Sequence, residues 1–500
     1  MTDAATPNDA AATTDGARPA AGAPPAAGAP TTRAAAAGRL TRVLAGWRGA
    51  LIVYVVFTGG YLGASGARLR THSPYNHYVY LADGWLHGRL ALAGQPPNEN
   101  DWAKVDVLKL RDGRELRGVY GSRTGGPIDR FYPLRGAPET IPPSAILTRS
   151  VIRYVSFPPF PAILMLPFVA IWKLAFNDVL FTALWAGLNP MLLFLLLRHL
   201  RARGLSRRSE VDDLWLTALL GVGSVYYYCA VIGQVWFTGL VVGVTLSIAY
   251  IWASLGASHP VLAGLFAVLG FATRPPWLVV PLFLFEAVRA AGGRAGLGRP
   301  EGRHALRRSL VDFAGPIAVG GAVLCWYNYA RFANPFEFGH KFLAVQWQER
   351  IFRFGLFNYH FLSRNLTAAL ILLPRLMLRY PFVKISQHGM SMLVTSPNLV
   401  YTVLPQEKSP LTKPLWYTIA AVAIPSLLYQ SSGYIQWGYR YSLDYLAYFM
   451  VLLAVGNRPF TKLFRGLVVF AFAVNLFLAI TFGRYNEFSY DDSFFPHGNN

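Results

Sequence analysis

The sequence predicts an all-α polytopic membrane protein with about eleven transmembrane helices. Of its 500 residues, 53% are hydrophobic and 14% are charged, whereas soluble domains carry about 25% charged residues. Apolar stretches near the ~20 residues that span a ~30 Å hydrocarbon layer recur along the chain. The net charge of +21 is mostly arginine, and much of it is grouped between those stretches.

Residues 1–38 are Ala, Pro, Gly and Thr with few large apolar groups, so 1–47 is expected to be a disordered cytoplasmic tail. It does not read as a signal peptide, because the apolar run comes too late. The candidate spans are 48–67, 178–198, 213–232, 236–255, 260–273, 276–291, 311–330, 389–405, 413–431, 438–456 and 464–482. The short pair 260–273 and 276–291 is separated by Arg274-Pro275-Pro276. It is either two spans with a tight turn or one broken element. Cys229 and Cys325 fall inside apolar runs, which excludes a disulfide framework or a zinc site.

Short basic loops set orientation. Arg39, Arg42 and Arg48, the Arg198–Arg208 cluster and the Arg289–Arg308 cluster are all expected on the cytoplasmic side. If 151–176 crossed the membrane, the Arg198–Arg208 cluster would fall outside. That segment also carries Pro158, Pro159, Pro161 and Pro167, and proline disfavours a regular helix. It is therefore read as a re-entrant or interface-lying helix on the outer side, with an ordinary second span as the alternative. One transmembrane domain, 48–482, then carries outer loops 68–177 and 331–388, followed by an outer tail, 483–500. Within the first loop, Val105–Leu110 and Glu115–Tyr120 flank Arg111-Asp112-Gly113-Arg114, a β-hairpin signal.

The polar candidates lie on that outer side. Read as a helix, Ser73–Leu90 puts Asn76, Tyr80, Asp83 and His87 on one face and Tyr75, Val79, Ala82 and Leu86 on the adjoining one. An amphipathic helix in the membrane plane fits this pattern. Functionally, Asn76, His77 and Asp83 would point into an outward cavity, with His77 or Asp83 suited to general-base work. Arg274, Glu337, His340, Lys341, Arg440 and Tyr441 stand at outer ends of spans. Singly, such cations snorkel to the interface. Their convergence suggests an anionic ligand, with arginine suited to phosphate. Asp444, one turn beyond Arg440, is placed to neutralise it. There is no phosphate-binding loop, dinucleotide fingerprint, zinc spacing or nucleophile elbow. The basic charge follows topology, so nucleic acid is not an expected partner.

The layout resembles the GT-C superfamily of membrane glycosyltransferases, in the style of its protein O-mannosyltransferase and lipid A aminoarabinose transferase branch. The likeness spans most of 48–482. It rests on YNHYVYLADGWLHGRL after the first span, proline-rich SFPPFPAILMLP, Arg331-Phe332 with Asn334-Pro335, and Trp437-Gly438-Tyr439-Arg440-Tyr441. It implies a GT-C-type helical fold with a periplasmic first loop. It also implies transfer of a sugar from a polyprenyl-phosphate donor at the outer leaflet to an acceptor, with no cofactor. An early acid in the first loop would act as base or position the acceptor. Arg440, then Arg274 and Lys341, would hold the donor phosphate. Where the family's acid is expected, near Tyr75–Tyr78, this chain has Asn76-His77. Either His77 or Asp83 takes the role, or a later acid does (Asp101 or Asp129), or the chain is not a catalyst. With no Asp-x-Asp pair in that helix, no metal is expected.

Two other classes compete with the enzyme. A transporter or flippase of a lipid-linked substrate would also need many spans, but the break at Arg274–Pro276 has no clear twin in a second repeat. A non-catalytic lipid-binding relative would account for the missing early acid. The Ala- and Arg-rich composition points to a bacterial cytoplasmic membrane.

Overall fold

Among the described residues, five helices are long and apolar enough to cross a membrane: Gly46–Arg70, Asp178–Ala202, Val235–Ala257, Pro300–Phe332 and Lys462–Thr481. The computed structural model describes residues 46–121, 129–275, 277–343 and 348–491. The chain divides into two units, Met1–Ala45 and Gly46–Asn500. The tail expected to be disordered, through Ala45 and including Arg39 and Arg42, lies outside the described residues.

The five long helices match five of the eleven expected stretches. The other six are shorter or interrupted: Glu210–Gly221 with Tyr226–Ala230, Pro260–Phe271, Val280–Ala290, Met392–Thr395 with Pro397–Val403, Thr412–Leu428 and Leu443–Val455. Pro260 and Pro397 each open a helix, where a missing N–H leaves no bond unmade. The pair around Arg274 is two helices, with the arginine in the turn between them.

Contacts distinguish two ends of the bundle. Arg198 donates to the Gly46 carbonyl, Arg203 to Leu255, and Arg208 to Leu453 and Arg458. Arg289 pairs with Glu286, whose other contact is the Gly256 amide. The arginines of the 198–208 and 289–308 clusters that make these contacts therefore share one end. At the opposite end the Ser73 hydroxyl donates to Asp178, the Val235 amide to Tyr75, and Arg331 to the Val155 carbonyl.

That opposite end carries a sheet larger than the expected hairpin. Strands β1 (Trp102–Leu110) and β2 (Glu115–Tyr120) pair antiparallel, with Asp106 opposite Gly118 and Lys109 opposite Glu115. Gly113 in their turn has φ +87°, a conformation glycine adopts without penalty. Strands β3 (Arg130–Pro133), β4 (Glu139–Thr140) and β5 (Ile146–Val155) complete the order β4-β3-β2-β1-β5. Asp106 is buried at the centre. It accepts from the Tyr120 amide at 2.9 Å and pairs with Arg149 at 3.0 Å.

β5 corrects the reading of 151–176 as one helical segment, since residues up to Val155 are strand. The rest forms the helix Phe160–Trp172. The Phe160 amide bonds Ala272, and Asn177 just beyond the helix bonds Leu69, so both its ends lie at the sheet-bearing end. Thirteen residues reach only about 20 Å, too short for a hydrocarbon crossing.

The helix His77–Leu86 departs from the expected exposed amphipathic pattern. Asn76, His77, Tyr80 and Asp83 are all buried, as are Val79 and Ala82. Trp102 and Val155 of the sheet, with Met165 of the Phe160–Trp172 helix, share its core. Periodicity places the helix correctly, but Trp102 of the sheet packs on His77 and Tyr80, and the residues of the face read as polar and solvated are buried apart from His87. The described part of the C-terminal tail, read from sequence as lying outside, docks: Ser489–Tyr490 adds parallel to Val383–Ser386.

Candidate functional site

At the sheet-bearing end, segments from six regions, among others, enclose a cavity of about 180 Å³. The short helix contributes Tyr78, the turn before β1 contributes Asp101, and the Val235–Ser254 helix contributes Trp236 and Gly239. Arg274 enters from the inter-helix turn and His340 from the loop after the Pro300–Phe332 helix. Tyr429, Gln430, Arg440 and Tyr441 come from the segment joining Thr412–Leu428 to Leu443–Val455. Gly239 permits close packing, because a Cβ there would stand 2.8 Å from the Tyr78 hydroxyl.

Asp101 is the acid in this cavity. Its backbone has φ +59°, a left-handed conformation that aspartate tolerates better than most residues. The Trp236 indole N–H donates to its Oδ2 at 3.0 Å. Burial lifts its carboxyl to about 6, against the opposing pull of the Trp236 bond and the Arg440 charge. A carboxylate that ionises near neutral pH is suited to accepting a proton in a reaction.

Arg440 faces the same cavity with little to neutralise it. Its backbone amide donates to Gln436 Oε1 at 3.0 Å, and Gln436 is itself held by the His388 and Ser432 carbonyls. The guanidinium lies over Phe237 and Tyr441, and its buried Nε has no hydrogen-bond partner. Among the described residues no carboxylate pairs with it. Asp444, expected to do so, instead makes a two-pronged bond to Arg274, at 3.0 Å from Nε and 2.8 Å from Nη2. The reason is local: Arg440–Ser442 is a tight 3-10 turn and the α-helix begins only at Leu443, so the i,i+4 geometry is not formed.

His340 lines the cavity with a buried Nδ1 that has no partner, and burial pushes its imidazole down to about 4. It is neutral at physiological pH. Lys341 and Glu337 pair with each other at 3.6 Å, and neither lines the cavity. Glu337 also accepts from the Gly339 amide, which shapes the turn. Of the substrate-binding candidates, the cavity thus gathers Arg440, Tyr441, Arg274 and His340.

The expected catalytic trio lies elsewhere. Asn76, His77 and Asp83 do not line the cavity. His77 stacks on Trp102 with ring centroids 3.9 Å apart, and its Nε2 donates to the Asn100 carbonyl at 3.0 Å. Burial pushes it down to about 4. It braces the residue before Asp101. Asp83 stands 3.5 Å from the His87 imidazole, and the Asn76 amide contacts His72. The other loop acid, Asp129, meets the Ile141 amide through its carbonyl at the sheet edge.

Sequence reasoning weighed Asp101 only as one later acid, and it did not foresee Tyr78, Trp236, Tyr429 or Gln430. The signal for Asp101 was its place in Asn98-Glu99-Asn100-Asp101-Trp102, directly before a strand. Its partner is 135 residues away, which no local pattern encodes. Among the described residues, no cluster of three or more His, Cys, Asp or Glu side chains could hold a metal ion.

No protein-family model matches the chain, and no curated protein matches it. Among solved structures it is similar to the Archaeoglobus fulgidus oligosaccharyltransferase in its apo form, with 13% identity and a TM-score of 0.36. The match covers 86% of this chain and 55% of that one, so this chain spans about half the length of that structure. A likeness at that level carries no argument about activity; the functional reading rests on the cavity and the residues that line it.

Proposed function

We propose that the chain is a membrane glycosyltransferase that moves a sugar from a polyprenyl-phosphate donor to an acceptor hydroxyl at the outer, sheet-bearing end of the bundle. The observation that carries this reading is the pairing of Asp101 and Arg440 in one cavity: a carboxyl lifted to about 6 and an arginine without a carboxylate partner among the described residues. A transfer of this kind needs one group to take a proton and one to receive an anion.

In this mechanism Asp101 accepts the proton of the acceptor hydroxyl. The acceptor oxygen forms a bond to the anomeric carbon as the bond from that carbon to the phosphate oxygen breaks. The phosphate leaves with the electron pair, and Arg440 holds the charge that develops on it. Arg274, already neutralised by Asp444, shapes the floor through its contact with Tyr441. Neutral His340 is placed to hydrogen-bond a sugar or acceptor hydroxyl. The reaction requires no soluble nucleotide site.

The test is transfer of labelled sugar from a polyprenyl-phosphate donor by the purified full chain. Arg440→Ala is expected to lower the rate by about 100-fold or more, the usual effect of removing one donor to a developing oxyanion. Full activity in that variant removes Arg440 from the mechanism.

A further inference from the structure

A short hairpin outside the cavity presents side chains that water does not favour. Strands β6 (Arg375–Leu376) and β7 (Val383–Ser386) pair antiparallel, with Arg375 opposite Lys384 and Leu376 opposite Val383. On the hairpin and just before it, Ile371, Leu373, Leu376, Leu378, Tyr380 and Phe382 are each 60% exposed or more. A water-facing surface seldom gathers so many large apolar side chains in one place. Residues 370–386 contain no acid and three cations, Arg375, Arg379 and Lys384. Arg375 and Lys384 are like charges at directly opposed positions, which destabilises a strand pair standing alone. The Arg375 guanidinium lies over the Tyr490 ring, and the Tyr380 hydroxyl donates to Glu487 of the C-terminal tail.

The hairpin stands at the level where helices of the bundle end. Before it, Asn365 bonds the Leu427 and Tyr429 carbonyls at the C-terminal end of Thr412–Leu428. The Ser391 amide bonds the Leu372 carbonyl directly ahead of the helix Met392–Thr395. Strand β8 (Ser489–Tyr490), which pairs with β7, follows shortly after Lys462–Thr481. In a membrane protein that level is the boundary between acyl chains and headgroups, where apolar and aromatic tips sit beside snorkelling cations. β7 also continues into Gln387 and His388, whose carbonyls hold Gln436, the residue that accepts from the Arg440 amide. The hairpin is therefore fixed to the cavity wall.

We propose that the Arg375–Ser386 hairpin, with Ile371 and Leu373, is a lipid-docking element. Its apolar side chains enter the leaflet at the sheet-bearing end, and Arg375, Arg379 and Lys384 meet the phosphates of anionic phospholipids. Charge and large apolar groups are interleaved along the hairpin. That mixture suits a headgroup boundary, whereas the core of a protein–protein interface is depleted of charge. The inference goes beyond the glycosyltransferase reading and does not depend on it.

The test uses the purified full chain, carrying Cys229→Ala and Cys325→Ala, in phosphatidylcholine vesicles with and without phosphatidylglycerol. A nitroxide is attached at Leu378→Cys, and its depth is read from relaxation by oxygen against a water-soluble nickel chelate. Glu115→Cys on β2 and Val319→Cys, an exposed position within Pro300–Phe332, supply the water and hydrocarbon references. The label on residue 378 is expected about 5–10 Å below the phosphates. A depth equal to that of the label on residue 115 overturns the proposal. So does protection from both relaxation agents, which would place a protein, such as a second copy, over the hairpin. Phosphatidylglycerol is expected to draw the label deeper, and Arg379→Gln with Lys384→Gln to cancel that shift. A depth that ignores phosphatidylglycerol overturns the assignment to anionic lipid. The same label at Leu376→Cys repeats the reading at a second exposed position. No sugar transfer is measured, so failure here leaves the glycosyltransferase reading standing.

Discussion

Two acids separated by 18 positions, Asp83 and Asp101, illustrate how differently one loop can use the same side chain. Asp83 lies on a helix whose periodicity marks a polar face, yet Asp83 is buried and its partner is the adjacent-turn His87. Asp101 lies in no periodic element at all, yet it is aimed into a cavity by a tryptophan from a distant helix. A helical face tells which residues point together. It does not tell whether they point at solvent, protein or ligand.

The strongest way to break that contrast is to neutralise both acids. Asp101→Asn is expected to lower transfer by about 100- to 10,000-fold, the range for loss of a general base. Asp83 does not line the cavity, so Asp83→Asn should stay within about threefold of wild type. A reversal of the two results in the labelled-sugar assay would return the catalytic role to the short helix.

A second contrast separates the two cavity arginines. Arg274→Ala leaves Asp444 buried with its charge unpaired, and thermal or denaturant unfolding should show a loss of about 3–5 kcal/mol. Arg440→Ala breaks no ion pair among the described residues and should leave stability much closer to wild type while transfer falls. Equal stability losses would show that Arg440 is also a structural cation.

The pH dependence sharpens the role of Asp101. With its carboxyl lifted to about 6, the group is protonated below that pH and cannot accept a proton. The rate should therefore fall on the acidic side with a midpoint near 6. Arg440 pulls that value down, so in Arg440→Gln the midpoint should move to higher pH in whatever activity remains. A midpoint that does not move would separate the two residues electrostatically.

The smallest effect is expected at Lys341. Its side chain is 61% exposed and 3.6 Å from Glu337, a geometry that contributes about 0–1 kcal/mol. Lys341→Ala should unfold within about 0.5 kcal/mol of wild type and transfer within about twofold. A large loss of transfer would bring the residue back as a phosphate contact.

The apolar helical character, the hairpin at Asp112-Gly113 and the grouping of basic residues apart from the polar candidates were all legible in the chain before any folding. Each follows from local rules: span length, turn chemistry and the cost of placing charge in hydrocarbon. Arg440, Tyr441, Arg274 and His340 were legible too, because polar groups flanking apolar spans stand out against that background. Packing decided the rest. It paired Asp444 with Arg274, 170 residues away, instead of Arg440. It stacked His77 on Trp102 of a sheet whose fifth strand looks, in sequence, like the start of a helix, and it buried Asp83. It also turned Asp101 toward Arg440. Hydrogen bonds and burial act across space with no regard for chain distance, so the environment of a carboxylate is set by its packed neighbours and not by the residues beside it in the sequence.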